Sequence, residues 1–454
     1  MDLSDLVQKQ KAWFQTGATQ SLEARQTALK ALYETVKNME GDVARALEQD
    51  LGKAPCESYL GETGLVLHEI RYHLAHVKGW MRARPGPVPW LHFPARSEIR
   101  PRPLGVSLII SPWNYPFHLC LMPLIGALSA GCCAVVKPSE YAPATAEVVE
   151  QVLKRALPQE QAAVVQGGRE ETEKLLEQPF DHIFFTGSQA VGKAVMAAAA
   201  KNLTPVTLEL GGKSPVIVDH TADLKTAARR IAFGKVLNAG QTCVAPDYLL
   251  LEQGLQEEFL VHYRAALEDF FPGGDLDQMA HIVSRRHFEE KKALLAGQNA
   301  AIGGGWDEET GKISPTVLVD VDPSSPVMQE EIFAPILPVI PWQTLDEAIA
   351  FVQERPRPLA LYLFTGDKAV ERRVLGACVF GGGCVNDTVI HLASPGLPFG
   401  GVGPSGMGQY HGKYSFDAFS HPQAIVHRGN RPHIPVRDLP YTKEKERLAR
   451  WLLK

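Results

Sequence analysis

The chain has 454 residues, 45% hydrophobic and 21% charged, and its 46 Lys plus Arg stand against 51 Asp plus Glu for a formal charge of −5. These proportions are those of a globular protein and exclude disorder, collagen-like repeats and a coiled-coil rod. With no basic excess to neutralise phosphates, nucleic-acid binding is set aside, and the length admits two large domains or three of about 150 residues. The 7 cysteines are odd in number and form no C-x-x-C pair, so neither a disulfide framework nor a zinc ribbon is indicated.

Residues 1–22 carry Asp2, Asp5, Lys9 and Lys11 and no apolar core segment, so no signal peptide is expected. Apolar residues at helical spacing, with charges between them, predict helical regions over 22–51 and 63–81. The segment 84–103 holds Pro85, Pro87, Pro89, Pro94, Pro101 and Pro103, which fits an edge strand or an inserted arm and not a central helix. Residues 109–136 contain no Lys, Arg, Asp or Glu and are long enough to span a bilayer. Pro112, Pro116 and Pro123 interrupt that run, so a buried strand, turn and helix is the better reading.

From Val106 onward short apolar runs alternate with helical stretches. Strands are predicted at Val106–Ile110, 134–137, 162–165, 182–185 and Val206–Leu210, with helices over 123–130, 144–157, 171–176 and 190–201. A second alternating block has strands at 214–218 and 248–251 and helices over 224–237 and 256–271, and 332–340, 345–354 and 360–364 continue it. Such alternation implies βαβ units and doubly wound parallel sheets, so the fold class is α/β. Two α/β domains with a small strand-bearing extension are expected. The end of the chain, 441–454, reads as a short charged amphipathic piece and no anchor.

Four places carry side chains suited to chemistry. Cys243, in Asn238-Ala239-Gly240-Gln241-Thr242-Cys243, is either an inert buried thiol or a nucleophile on a glycine-bearing loop. Glu209 lies inside an apolar strand before Gly211-Gly212-Lys213. There its pKa should rise, as suits a general base, unless it faces the edge of a half-exposed strand. Phe185-Thr186-Gly187-Ser188, with Gly192 beyond, follows a strand and opens a helix, where amides and the Ser188 hydroxyl could receive a pyrophosphate. It lacks the leading glycine of the usual fingerprint, and a plain strand-to-helix turn reads equally well. Pro112-Trp113-Asn114-Tyr115-Pro116 holds an amide between two prolines, a natural oxyanion donor. His68, His73 and His76 do not complete H-E-x-x-H, and no metal site is indicated.

Together these segments resemble the aldehyde dehydrogenase superfamily. Pro112-Trp113-Asn114, Lys137-Pro138-Ser139-Glu140, Phe185-Thr186-Gly187-Ser188 and Leu208-Glu209-Leu210-Gly211-Gly212-Lys213 come first. Gly240-Gln241-Thr242-Cys243, Glu330-Glu331-Ile332-Phe333 and Leu397-Pro398-Phe399-Gly400-Gly401 follow, all in that family's order and spacing between about 105 and 420. The stretches 240–248 and 406–421 further resemble its class 3, fatty and aromatic aldehyde branch.

The resemblance implies an aldehyde dehydrogenase-like fold and NAD(P)-dependent oxidation of an aldehyde to the acid. In this scheme Cys243 attacks the aldehyde carbon, and Asn114 with the Cys243 amide holds the oxyanion. Hydride passes to the nicotinamide, and Glu209 activates the water that releases the acid. The resemblance further implies adenosine-ribose contacts at Lys137 and Glu140 and a phosphate region with Trp113, Gly187, Ser188 and Gly192. Glu331 and Phe333 clasp the nicotinamide ribose, Leu210 is a further cofactor-binding residue, and Tyr115, Phe399 and His411 are substrate-binding residues. NAD is the expected cofactor, with NADP left open although Glu140 would repel a 2′-phosphate; no metal is needed. The substrate is a medium- or long-chain aliphatic or an aromatic aldehyde. Ala334 stands where the family usually has Gly, so the backbone beside the nicotinamide ribose is expected to differ slightly.

By the same resemblance the dinucleotide-binding domain covers 1–82 and 103–211 and the catalytic domain 212–418. A bridging element at 83–102 and 419–454 would extend into a partner, which implies a homodimer, cytoplasmic and without a membrane anchor. Two other readings stand beside this one: a CoA-acylating aldehyde dehydrogenase, and a binding protein that has lost catalysis.

Overall fold

Strands of five residues buried along their whole length, such as Val106–Ile110 and Cys133–Lys137, need cover on both faces and build parallel sheets flanked by helices. The structure, a computed structural model, describes residues 2–433 and 435–453; Met1, Ile434 and Lys454, which fall in the predicted terminal units, lie outside the described residues. The first sheet has six strands in the order Gly406–Met407, Val206–Leu210, His182–Gly187, Val106–Ile110, Cys133–Lys137 and Ala162–Val164. All run parallel except Gly406–Met407, which pairs antiparallel with Val206–Leu210.

The second sheet has seven strands in the order Asn299–Ile302, Thr316–Val319, Ile336–Trp342, Tyr248–Glu252, Pro215–Val218, Ala360–Phe364 and Gly382–Val385. Only Asn299–Ile302 is antiparallel to its neighbour. A third sheet of three antiparallel strands, Arg84–Gly86, Ala95–Pro103 and Ser420–Arg428, joins the proline-rich arm to the far end of the chain. The α/β class, with two mostly parallel sheets and a small strand-bearing extension, is therefore as expected. Among the described residues no helix is long and apolar enough to cross a membrane.

Several elements differ from expectation for identifiable reasons. The helical region 22–51 is two helices, Leu22–Asn38 and Glu40–Leu51, because Met39 leaves helical geometry at φ −106 and ψ 13. Apolar residues keep the same spacing through the break, so periodicity cannot see it. The predicted strand 332–340 starts only at Ile336, because Phe333 has φ +50 and turns the chain first. The strand Ala95–Pro103 is no edge strand where Arg84–Gly86 flanks it, opposite 97–99. Pro101 and Pro103 fall beyond that pairing, where the strand has one neighbour and an absent N–H costs less.

The helix expected over 123–130 begins a full turn and more earlier, as His118–Ala130, with Pro123 inside it. Pro123 cannot donate to the carbonyl of Leu119 one turn back, and an interior proline usually breaks a helix for that reason. Here the hydroxyl of Ser111 donates to Leu119 O at 2.9 Å and replaces the missing bond. Ser111→Ala should leave that buried carbonyl without a donor and cost about 1–3 kcal/mol of stability. A urea midpoint equal to wild type would show that Ser111 does not sustain the helix through Pro123.

Candidate active site

A cavity of about 1390 Å³ opens at the carboxyl ends of Val106–Ile110, His182–Gly187 and Val206–Leu210, where the residues that follow each strand line its wall. Ligands of open α/β sheets bind at such strand ends. Of the predicted site residues, Trp113, Asn114, Tyr115, Gly187, Ser188, Glu209, Leu210, Cys243, Glu331, Phe333, Phe399 and His411 line this one space. Lys137, Glu140 and Gly192 do not. Lys137 Nζ donates to Pro138 O at 3.0 Å and reaches Glu140 Oε2 at 3.3 Å. Gly192 packs the helix Gln189–Ala200 onto the sheet, and a Cβ there would lie 2.7 Å from a methyl of Leu210.

The thiol of Cys243 is set by an unusual run of backbone. Asn238 and Ala239 have φ +51 and +52, and Gly240 has φ +73. At Gly240 the requirement for glycine is absolute in this packing, since a Cβ would sit 2.4 Å from the Ala334 carbonyl. The Asn238 amide donates to Glu57 Oε1 at 2.6 Å. Gln241 Nε2 donates to Asn238 O and to His281 O, both at 3.0 Å. Burial pushes the Cys243 thiol up, the Glu331 and Glu209 carboxylates push it further, and the amides of Cys243 and Val244 act in the opposite direction.

Asn114 is tied to the same loop. Its Nδ2 donates to Gln241 O at 2.9 Å, and its backbone carbonyl accepts from Asn238 Nδ2 at 2.7 Å and from Lys53 Nζ at 2.9 Å. Beside it, the Tyr115 hydroxyl and Thr242 Oγ1 lie 2.7 Å apart. Lys53, Glu57 and Glu62, which the sequence reading passed over, belong to this support; a helical periodicity that treats charged residues as the outer face cannot single them out.

Glu209 is buried, and neither carboxyl oxygen has a hydrogen-bond partner among the described residues. Burial alone holds its pKa well above the usual carboxylate range. Glu331 is pushed up to about 8, by burial first and by Asp247 second. The loop that carries it is strapped from behind. Lys213 Nζ pairs with Asp247 and donates to Val327 O and Glu330 O at 2.9 Å, and Asp247 Oδ2 accepts from Ile332 N at 2.9 Å. Phe333 then turns back so that its ring meets Trp113 edge-on, centroids 5.5 Å apart.

At the other end Phe399 stacks on His411 with centroids 5.3 Å apart. Burial lowers His411 to about 4, and burial together with His411 lowers His118 to about 3, so both imidazoles are neutral at ordinary pH. His118 and Tyr410 also line this end. No sequence signal marks His118, since a lone histidine at the start of an apolar helix is usually core.

Sequence and structure comparisons agree with one another. The sequence model described as the aldehyde dehydrogenase family matches residues 1–425. The chain is 46% identical over 436 residues to the 4,4'-diaponeurosporen-aldehyde dehydrogenase of Staphylococcus aureus, covering 95% of each. It is 45% identical to the dimeric NADP-preferring aldehyde dehydrogenase of Rattus norvegicus, over 93% of this chain and 94% of the relative. Among solved structures, the substrate-bound state of a Staphylococcus aureus AldH superposes with a TM-score of 0.97 at 44% identity, covering 100% of both chains.

The raised pKa of Glu331 has a thermodynamic signature. An unfolded glutamate titrates near 4.5 and the folded one near 8, so the folded protein keeps a proton that the unfolded chain releases. That contribution to stability is complete below about 4.5 and is lost as pH rises through about 8. Glu331→Gln has no such loss. Its melting temperature should match wild type at the acid end of this window and exceed it increasingly up to the alkaline end. A difference that does not change with pH would contradict the assignment.

Proposed function

The chain belongs to the aldehyde dehydrogenase family, and on that premise we propose how its own residues carry the reaction. It is an oxidoreductase that oxidises an aldehyde with NAD(P). The observation that carries the residue assignment is the convergence of a half-buried thiol, a doubly anchored amide and a partnerless buried carboxyl on one cavity.

The wall next to Trp113 suits a dinucleotide. Ser188 caps the 12-residue helix Gln189–Ala200, whose amino end favours an anion. Gly211 leaves open the place a Cβ would take 2.0 Å from Glu331 Oε2. Glu331 Oε1 is buried without a partner among the described residues and is available to a ribose hydroxyl. Phosphates would lie at Trp113, Gly187 and Ser188, the adenosine ribose at Lys137 and Glu140, and the nicotinamide end at Leu210, Glu331 and Phe333. When bound, the oxidised dinucleotide supplies the hydride acceptor.

The Cys243 thiol releases its proton to solvent water, the thiolate sulfur forms a bond to the aldehyde carbon, and the carbonyl electrons move to oxygen. The Asn114 Nδ2–H and the Cys243 backbone N–H hold that oxyanion; one such donor is worth about 2.7–4 kcal/mol. Loss of hydride from carbon leaves a thioester on Cys243. Glu209, once ionised, takes a proton from the water that attacks this thioester, and its raised pKa makes it the stronger base. Collapse of the second oxyanion expels the Cys243 thiolate and frees the acid. Apolar walls from Leu119, Phe233, Val236, Leu392 and Phe399 support a medium- or long-chain aliphatic or aromatic substrate, entering past Tyr115 and His411.

The proposed units are 1–82 with 103–211 for the dinucleotide, 212–418 for catalysis, and 83–102 with 419–454 as the bridge; the sheets support this division except at Gly406–Met407, which joins the first sheet. Ser420–Arg428 is the outer strand of its sheet, and a long open edge of this kind is an aggregation hazard unless another strand covers it. A second copy is the simplest cover, in keeping with the name of the rat relative, so the protein is a homodimer. Its 7 cysteines are all free thiols, which suits the cytoplasm.

Rapid mixing tests the chemistry. Glu209→Gln should give one burst of NADH, because Cys243 and Asn114 remain, and then a steady state slowed by about 10²–10⁴-fold. Cys243→Ala alongside should give neither burst nor turnover. Loss of the burst in Glu209→Gln would assign the carboxylate to activation of Cys243, and a normal steady state would leave it no role. For assembly, sedimentation at low micromolar concentration should give twice the mass of the 454-residue chain, and a monomer alone would refute the bridge.

A further inference from the structure

Beneath the loop that carries Asn114 lies an ion pair with no part in the bond changes. The side chains of Lys53 and Glu62 are both fully shielded from solvent. Glu62 sits in the π-helical turn Tyr59–Thr63, a distortion that concentrates at functional sites. The Lys53 ammonium has three hydrogens and three partners. These are Glu62 Oε1 at 2.5 Å, the Asn114 carbonyl at 2.9 Å, and the face of Tyr115 with its centroid 4.0 Å away. The other oxygen of Glu62 accepts the amides of Phe117 at 3.0 Å and His118 at 2.8 Å. One pair thus holds Asn114, Tyr115, Phe117 and His118 from below.

We propose that Lys53 and Glu62 are positioning residues for the oxyanion site, fixing the backbone of Asn114 so that its side-chain amide points at the oxygen formed beside Cys243. The proposal rests on the role given to Asn114 above. Its physical basis is a count of constraints. The Asn114 carbonyl has two donors, and one Nδ2 hydrogen is bound to Gln241 O at 2.9 Å. With both ends of the residue fixed, the remaining Nδ2 hydrogen has a single direction. Stability alone is a weak reason for such a pair, since apolar replacement of buried ions is often neutral or favourable. The direction it imposes is a sufficient reason.

Lys53→Met with Glu62→Gln removes both charges, while the new amide oxygen can still accept the loop amides. In this double variant kcat/KM for aldehyde oxidation should fall about 10- to 100-fold, less than the 10²–10³-fold that follows loss of a whole oxyanion donor. The affinity for NAD and the melting temperature should stay near wild type. The decisive comparison repeats the change in Asn114→Ala, where it should alter kcat/KM less than about two-fold because there is no amide left to aim. Wild-type turnover in the double variant, or an equal loss in both backgrounds, would overturn the positioning role. Wild-type turnover in Asn114→Ala itself would instead remove the oxyanion assignment, and the proposal with it. Glu62→Gln alone carries the same comparison if the double variant does not fold.

Discussion

The site depends on a piece of backbone that only its surroundings can hold. Asn238, Ala239 and Gly240 stand consecutively in the left-handed region, which disfavours residues with a Cβ by roughly 1–2 kcal/mol each. Contacts from distant segments offset this. Glu57 takes the Asn238 amide, Gln241 folds back onto the Asn238 carbonyl, and Gly240 lies against the carbonyl of Ala334. Because Gln241 O also receives Asn114 Nδ2, the turn that positions the thiol positions the amide as well. Ala334 is itself wholly buried in a cluster with Ala239, Ile332 and Ile336. Its methyl therefore has apolar cover next to the turn it supports.

The same closeness sets the charge state of the cavity. Cys243, Glu209 and Glu331 are all titratable acids, and burial is the first cause of the rise in each. Burial makes ionisation of any one of the three costlier, and for Cys243 the Glu331 and Glu209 carboxylates add to that cost. The cations nearby lie to one side: Lys213 and Lys291 both act on Glu331. Glu209 has no such neighbour among the causes of its shift, which is desolvation alone. A carboxyl of this kind gains basicity from its setting and not from a partner that would have to let go.

Much of this was legible in the residues, and the parts that were not share a cause. Buried parallel strands announce themselves as short apolar runs, so Val106–Ile110, Val206–Leu210 and Ala360–Phe364 were read with their observed bounds. The helix Leu3–Gln15 escaped because its fully buried positions are only Leu6, Val7 and Gln10; Leu6 and Val7 join an apolar cluster, while Gln10 docks through a polar bond to Ala134 O at 3.0 Å. The helix Arg285–Ala293 buries only Phe288 and offers almost no apolar stripe to read. At the site, the motifs supplied many of the side chains that face the cavity, though not His118, and three of their residues, Lys137, Glu140 and Gly192, lie off it. The side chains that hold those motifs in place, such as Lys53 and Glu57, lie far away in sequence, and the hydrogen bonds they make to the motifs go to backbone atoms with no residue signature.

The short ladder between Gly406–Met407 and Val206–Leu210 links two tasks that the chain order keeps apart. Gly406 stands opposite Glu209 in register, and the Leu210 amide donates to Ser405 O at 3.1 Å. The segment that makes this ladder continues directly into Tyr410, which bridges to Phe399, and then into His411. A stretch from the catalytic half of the sequence thus adds its strand to the sheet of the other half, carrying the far wall of the cavity with it. Glu209 and the wall formed by Phe399, Tyr410 and His411 are fixed relative to each other by backbone hydrogen bonds, which are far stiffer than side-chain packing. Movement of that wall would have to pull on the strand that carries Glu209, so the shape of this end of the cavity and the placing of that buried carboxyl are mechanically linked.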